Sequence, residues 1–359
     1  MTSETLAEAT VQDDQRAQTR LALRSMVVPI FFAIGFGLCI MGAYHKPHPN
    51  GVKLGVVAPD VQVAPLIATV ERATGSAFAI SRVASVAEGV SDVRRRELTA
   101  VFEAAAHPRQ PSTVIVASAA GRLAAASAET LARSVTAAQG AQLIVQDLRP
   151  LPPGDELGLG VFIFMIACTI SGYIAVTVLE TFAPTLVPQR RYPIIAAAAV
   201  LIPTLTYLIG GLGYGTFRGS FGTILAFLGV AVLYTFVIGL ISRWFQVILG
   251  PPALFVSLAV FVFLNIPSLG ATYTSTLLPS FWRFFNHFWI GAETVNAERS
   301  ILYFGGQGVG ADILRLLAWA GVVVLLLVLP VSRKLERNRE HSAGARPVTS
   351  PAPPLASKA

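Results

Sequence analysis

A stretch without a charged residue, between Arg243 and Arg283, constrains the fold of this chain more than any other feature. A helix needs about 20 apolar residues to cross a bilayer, so the stretch is too long to be one span. It begins with an apolar run at residues 247–264, which is broken at Asn265 and Pro267. Both residues favour the end of a helix. We therefore predict one spanning helix, followed by a segment that does not cross.

The segment after this break is aromatic and has two distinct faces. Four phenylalanines recur at helical spacing, at Phe281, Phe284, Phe285 and Phe288. Three polar residues share another face, namely Arg283, Asn286 and His287. An apolar and a polar face on one short helix predict that it lies at the membrane surface, with Trp282 and Trp289 half in water. The alternative is an ordinary aromatic belt beside a span.

Four short motifs follow one another between residues 265 and 306: Asn-x-Pro-Ser, Leu-Leu-Pro-x-Phe-Trp-Arg, Gly-Ala-x-x-Val-x-Ala-x-Arg and Tyr-Phe-Gly-Gly. After a spanning helix, this string resembles the end of ABC-2-type transporter permeases, in the branch grouped with the YhgE/Pip (phage infection protein) membrane proteins. The matching residues are Asn265, Pro267, Ser268, residues 277–279 and 281–283, Gly291, Ala292, Val295, Ala297, Arg299 and residues 303–306.

The resemblance implies a permease subunit that forms a homodimer and works with a separate P-loop ATPase. Such permeases fold short helices back into the outer leaflet between the last two spans, which implies an external gate or interfacial segment. In this sequence the segment contains Asn265, Pro267, Pro279, Phe281, Trp282, Arg283, Glu293, Arg299 and Tyr303. From the residues alone, an intramolecular pair or solvation at the surface is expected for Glu293, Glu298 and Arg299.

The composition excludes a soluble protein with a single core, because 53% of the residues are hydrophobic, 13% are charged and the mean hydropathy is +0.62. Basic residues produce the net charge of +7, but they flank apolar segments, so no nucleic-acid partner is predicted. Cys39 and Cys168 lie in apolar segments and offer no disulfide framework. We predict a polytopic α-helical membrane protein with six transmembrane helices and an inserted extracytoplasmic α/β domain between helices 1 and 2.

Charges and helix breakers set the predicted boundaries. In chain order the segments are a cytoplasmic tail (1–24), TM1 (25–45), an extracytoplasmic α/β domain with its linker (46–156), TM2 (157–179), a cytoplasmic loop (180–191), TM3 (192–217), TM4 (219–242), TM5 (246–265), an external loop with interfacial or re-entrant helices (266–311), TM6 (312–332) and a disordered basic cytoplasmic tail (333–359). Lys and Arg are concentrated beside the spans on the side of the two termini, which predicts that both termini are cytoplasmic. The predicted location is the plasma (inner) membrane, in contact with membrane lipid.

Residues 52–148 have the composition of a soluble domain and predict the order β-α-β-α-β-β-α-β. Strands are predicted at residues 52–58, 78–84, 99–106, 112–119 and 141–148, and helices at residues 61–74, 86–98 and 122–139. The acidic residues of this domain are scattered, which is typical of a solvated surface. Three consecutive arginines, Arg94 to Arg96, could bind a phosphate or a lipid headgroup, although exposed surface is the ordinary interpretation.

The connector between the second and third predicted spans contains Glu180, Arg190 and Arg191. In ABC-2-type permeases the corresponding connector contacts the ATPase. The resemblance therefore implies that these three residues belong to an ATPase-coupling loop. The alternative is that Arg190 and Arg191 only fix the orientation of the spans, which requires no partner.

Sequence signatures of catalysis are missing, since the chain contains no G-x-x-x-x-G-K-[ST], H-E-x-x-H or G-x-S-x-G motif. We expect neither an enzyme nor a bound cofactor or metal. The predicted spans contain ionisable residues only near their ends, at Glu180, Asp312 and Arg315, which disfavours a proton-coupled pump.

Two functions remain open from the sequence. The first is an ABC-2-type permease subunit that exports or presents an amphiphilic or lipid-linked substrate. The second is a non-transporting surface receptor or envelope-assembly scaffold, in which the spans anchor the α/β domain. A cavity between paired bundles favours transport, whereas a solidly packed bundle favours anchoring.

Overall fold

The computed structural model describes residues 3–107, 110–329 and 338, and it leaves out the side chains of residues 3–11 and 13. Most of the described chain is helical. The disordered tail predicted at residues 333–359 lies outside the described residues, apart from Asn338. The first apolar helix, α1 (Asp14–Tyr44), overlaps a polar N-terminal helix, Ser3–Ser25.

The α/β unit (residues 52–147) follows α1 and has the predicted element order. Its elements are β1 (Val52–Val57), α2 (Asp60–Thr74), β2 (Phe78–Arg82), α3 (Val86–Arg94), β3 (Ala100–Glu103), β4 (Ser112–Val116), α4 (Arg122–Ala138) and β5 (Leu143–Asp147). The sheet order is β2-β1-β3-β4-β5, and every neighbouring pair is parallel except β3 and β4. The antiparallel pair arises because the connection between β3 and β4 contains no crossover helix.

Successive residues of the central strands point to opposite faces of this sheet. Phe102 and Val114 are paired across β3 and β4 and pack with α2 and α4. The neighbouring pair, Val101 and Ile115, lies on the other face with α3. Phe304, from the C-terminal half of the chain, is buried on this second face. The sheet is therefore fixed directly to the membrane-associated part of the chain.

The chain after the α/β unit contains the remaining helices. They are α5 (Gly160–Phe182), α6 (Pro188–Gly213), α7 (Phe221–Leu249), α8 (Ala253–Ser268), α9 (Ser280–Asn286), α10 (Ile290–Tyr303) and α11 (Val309–Val328). Within the described residues, five helices are long and apolar enough to cross a membrane, namely α1, α5, α6, α7 and α11. The chain is therefore a polytopic helical membrane protein, as its composition predicts.

The boundary between α7 and α8 differs from the predicted one. The sequence places it at Arg243, but α7 continues through Arg243 to Leu249. The helix stops at Gly250, which has a φ of 67° and is followed by Pro251 and Pro252. Arg243 does not end the helix because its guanidinium is buried in an ion pair inside the protein.

The helix α8 is shorter than the other apolar helices. At a rise of 1.5 Å per residue it is about 24 Å long, less than the roughly 30 Å of a hydrocarbon core. It includes a π-helical segment, Leu258–Asn265, and it continues past the predicted break at Asn265 and Pro267 to Ser268. Gly270, with a φ of 69°, then turns the chain. A positive φ suits glycine, which lacks a Cβ.

The helix α10 falls in the predicted external loop with interfacial or re-entrant helices, and it lies inside the bundle formed by α5 to α8, α10 and α11. It packs against α7 and α11 and also contacts α5. Nearly every residue from Ile290 to Ser300 is buried. By contrast, α1 packs mainly on α8, where Phe31 lies 5.4 Å from Phe255 between ring centroids. Most of the surface of α1 is left exposed.

Candidate functional site

A cavity of about 560 Å³, the junction cavity, separates the α/β unit from the nearby ends of the bundle helices. The α/β unit contributes β1, the residues after α3 and the start of α4, and the bundle contributes the turn after α8 and parts of α9 to α11. Its basic residues are Lys53, Arg95, Arg96, Arg299 and Arg315. Its acidic residues are Glu97, Glu293 and Asp312. The site is therefore polar and charged, although it adjoins strongly apolar helices.

Arg96 fixes one wall of the junction cavity. Its Nη1 donates to the carbonyl oxygen of Asn296 at 3.2 Å, and its Nη2 donates to that of Gln307 at 3.4 Å. The guanidinium also lies 5.5 Å from the centroid of the Phe304 ring. Burial lowers the pKa of Arg96, partly offset by the charge of Asp312. The sequence-based view of Arg94 to Arg96 as plain exposed surface is wrong for Arg96, which attaches the α/β unit to the bundle.

The acidic residue Glu293 of α10 is paired as expected. Its side chain is 2% exposed, and Oε2 lies 2.8 Å from Nη1 of Arg315. The same Nη1 lies 3.7 Å from Oδ1 of Asp312. Arg315, whose side chain is 55% exposed, therefore joins the start of α11 to α10 at the cavity wall.

Arg299 holds the turn that follows α8. Its Nη1 donates to the carbonyl oxygen of Gly270 at 2.8 Å, and its Nη2 donates to that of Ala271. Burial lowers the pKa of Arg299 to about 10. A cation is well placed here because the carbonyl groups at a helix C-terminus carry partial negative charge. Arg299 thus connects α10 with the end of α8, and the ion pair expected for it from the sequence is absent among the described residues.

The short helix α9 presents the two faces that the sequence predicts. Phe281, Phe284 and Phe288 are exposed on the outside of the protein. Asn286 lines the cavity and donates from Nδ2 to the carbonyl oxygen of Ser268 at 2.7 Å. His287 also lines the cavity. The apolar face of α9 therefore points away from the chain, as suits contact with lipid.

Trp282 does not have the half-wet position predicted for it. It is 8% exposed and packs with Ala43, Leu278 and their neighbours, because α9 begins at Ser280 close to the end of α1. Arg283 donates from Nη2 to the carbonyl oxygen of Leu278 at 2.9 Å, which closes this turn.

The other residues of the predicted gate lie in different places. Asn265 is inside the bundle and donates from Nδ2 to Oη of Tyr234 at 2.8 Å. Pro267 is buried within α8. Tyr303 packs beside Phe304 against the sheet, and burial raises the pKa of its phenol. Of the nine predicted gate residues, Glu293 and Arg299 line the junction cavity, and the other seven do not.

The predicted coupling residues lie at the end of α5 and at the start of α6. Glu180 lies in the last turn of α5, and its Oε1 is 3.2 Å from Nε of Arg191. Its Oε2 is 2.7 Å from Nη1 of Arg243 on α7. Arg191 is completely buried, whereas Arg190 is exposed in the first turn of α6. The connector itself is only residues 183–187, and Glu180 and Arg191 join three helices internally.

No sequence pattern indicates the burial of Glu298. This residue is 0% exposed within α10, so solvation at the surface is wrong for it. Neither carboxylate oxygen has a hydrogen-bond partner among the described residues. The mixed polar and apolar sequence of α10 resembles that of an exposed helix, and only its packing between α5, α7 and α11 reveals the burial.

No group of three or more His, Cys, Asp or Glu residues is arranged to hold a metal ion in the part of the chain that the structure describes. Comparisons of the chain with protein-family models, with curated proteins and with solved structures found no match.

Proposed function

We propose that the chain is a permease subunit of the ABC-2 type, which exports or presents an amphiphilic or lipid-linked molecule with energy from a separate P-loop ATPase. The observation that carries this proposal is the junction cavity, a charged space of about 560 Å³ beside helices that are able to cross a membrane. An amphiphile requires a polar site for its head next to an apolar path for its tail. The resemblance of residues 265–306 to such permeases agrees with this arrangement.

Lys53 is the cation of the junction cavity that is available for a ligand. The four cavity arginines already contact carboxylates, carbonyl oxygens or both. Lys53, at the start of β1, makes no side-chain hydrogen bond or ion pair with the described residues. An ammonium group in this position suits an anionic headgroup, which is the polar end of many amphiphiles.

In the proposed topology α8 is a short fifth span, and α9 and α10 form the re-entrant segment before the sixth span, α11. Both termini are cytoplasmic and the α/β unit is extracytoplasmic, in agreement with the distribution of Lys and Arg. The polar wall of the junction cavity then faces the outer side of the membrane. The exposed phenylalanines of α9 lie in the outer leaflet.

The transport path lies between two copies of the chain. The interior of a single bundle is filled by large side chains such as Phe164, Phe227 and Tyr234, all of which are fully buried. The faces of α1 and α8 form an open apolar groove of about 500 Å³ with α5, lined in part by Phe32, Ile174 and Leu258. A homodimer places such surfaces around a shared path.

The second candidate is a membrane-anchored receptor or envelope-assembly scaffold. The filled interior of the single bundle supports it, because a solid bundle is sufficient for anchoring. The attachment of the α/β unit through Arg96 and Phe304 also gives a receptor a fixed orientation.

The two candidates differ in the partner that they require. The test is purification of the tagged full chain from its native membrane in mild detergent, with mass spectrometry of the proteins that accompany it. A permease is expected to bring a stoichiometric P-loop ATPase, and Arg190→Glu is expected to release it while the variant still folds. Arg190 is the correct target because Glu180 and Arg191 also stabilise the bundle. Recovery of the chain alone, or with envelope proteins, would establish the receptor or scaffold instead.

A further inference from the structure

Glu298 is a buried acid that the proposed permease mechanism does not use. It lies on α10 with 0% exposure, and both of its oxygens are without a hydrogen bond among the described residues. Its neighbour Arg299 directs its guanidinium to the carbonyl oxygens of Gly270 and Ala271. By contrast, Glu293 on the same helix is paired with Arg315. Two buried acids on α10 therefore have opposite electrostatic environments.

The surroundings of Glu298 contain neutral polar groups from two other helices. Its carboxyl interacts electrostatically with Cys168 of α5 and Tyr234 of α7. Tyr234 Oη in turn lies 2.6 Å from Oγ1 of Thr169 and accepts a hydrogen bond from Nδ2 of Asn265. The Oδ1 atom of Asn265 has no partner among the described residues. The bundle therefore encloses a small polar cluster without a cation of its own.

The groups that titrate or carry charge around Glu298 can be named helix by helix. On α10 they are Arg299 and Tyr303, and on α5 and α7 they are Cys168 and Tyr234. The helix α8 contributes the neutral Asn265. On α11, Arg315 pairs with Glu293 and with Asp312. Burial raises the pKa of Glu298, and the positive charge of Arg299 opposes this only in part.

A carboxylate in such a place is unstable because it has lost its water without gaining a cation or a donor. The group becomes stable when it binds a proton, since a neutral carboxyl is far less costly to bury. We infer that Glu298 is a proton-binding site inside the bundle, occupied at neutral pH and lying beside Cys168 and Tyr234. This inference does not rest on the proposed function.

Infrared spectroscopy tests the protonation directly. Spectra of the full chain in lipid nanodiscs are compared between wild type and Glu298→Gln, with Glu293→Gln as the matched control from the same helix. At neutral pH we expect Glu298→Gln to lose the C=O stretch of a protonated carboxyl, and Glu293→Gln to lose the bands of a carboxylate. If Glu298→Gln instead loses carboxylate bands at neutral pH, Glu298 is ionised in the wild-type chain. That result would overturn the inference, whether a metal cation or water stabilises the charge.

A pH titration of the wild-type chain provides a test that needs no variant. It must show a protonated carboxyl band that shifts on transfer to heavy water and disappears only above the pH at which exposed glutamates ionise. If all carboxyl groups ionise together with the exposed ones, Glu298 is not a proton site. The titration can overturn the inference without any variant. Because Asp155 and Asp312 are also buried, the loss of the surviving band in Glu298→Gln is what assigns that band to Glu298.

Discussion

Arg96 of the α/β unit lies 5.5 Å above the ring of Phe304, the residue that follows the last turn of α10. This contact joins two parts of the chain that are separated by about two hundred residues, and the two hydrogen bonds of Arg96 to backbone carbonyl groups strengthen it. Phe304 is itself buried among Val93, Val101 and Ile115 of the α/β unit. The position of the sheet relative to α10 therefore depends on a few specific contacts.

Replacement of Arg96 should weaken this attachment. Arg96→Ala removes the contact with the Phe304 ring and the two hydrogen bonds, which together correspond to about 2 kcal/mol of stability. We expect a lower temperature of thermal unfolding and faster proteolysis in the α/β unit. Arg94→Ala is the matched control because Arg94, the last residue of α3 and two positions before Arg96, is exposed. Equal stability of the two variants would contradict the role assigned to Arg96.

The α/β unit could be predicted from the sequence because each of its elements has a local signal. Alternation of inward and outward residues identifies β3, where Val101 and Phe102 face opposite sides of the sheet. Gly75 and Gly140, with positive φ, mark the ends of α2 and α4. The way in which the sheet meets the bundle depends on contacts such as Arg96 with Phe304, which no local pattern indicates.

The bundle was predictable only in part, and its charged residues explain why. A charged residue in the sequence predicts the end of a span, which places a boundary at Arg243, yet Glu180 neutralises this residue from another helix. The burial of α10 was not predicted because its sequence includes Glu293, Glu298 and Arg299. In each case the partner or the burial comes from a distant element, which periodicity and composition do not report.

The ion network of Glu180 should contribute strongly to stability. Glu180→Ala removes the carboxylate that both Arg191 and Arg243 contact, and loss of one partner from a buried pair costs about 3–5 kcal/mol. We expect a marked loss of folded protein in detergent and a lower unfolding temperature. Arg190→Ala should change neither the amount of folded protein nor the unfolding temperature, since Arg190, which precedes Arg191 in the sequence, is exposed. A stable Glu180→Ala variant would show that the network does not hold α5, α6 and α7 together.

The close contact between α8 and α10 depends on Gly291. A Cβ at this position would overlap Oδ1 of Asn265 and lie 2.5 Å from Cδ2 of Leu269. Gly291→Ala should therefore force the two helices apart and cost about 1–3 kcal/mol. Gly321→Ala on α11 is the control, because open space surrounds Gly321 and alanine is the better helix former. Thermal unfolding of both variants measures the difference, and an unaffected Gly291→Ala would place α10 farther from α8.

The stability of the chain should depend on pH through Glu298. Because burial raises the pKa of this carboxyl, the folded state binds its proton more tightly than the unfolded state, where a glutamate has a pKa of about 4.3. Stability is therefore highest below about pH 4.3 with respect to this group, and it decreases as the pH rises towards the folded pKa.

Glutamine has nearly the shape of the protonated acid and does not ionise. We expect Glu298→Gln to unfold at a higher temperature than wild type, with a difference that grows as the pH rises above about 4.3. Glu293→Gln should instead be less stable than wild type at neutral pH, since it loses the charge that pairs with Arg315. Unfolding curves of the three proteins across the pH range separate these expectations, and a constant difference between Glu298→Gln and wild type would mean that Glu298 has the same pKa in both states.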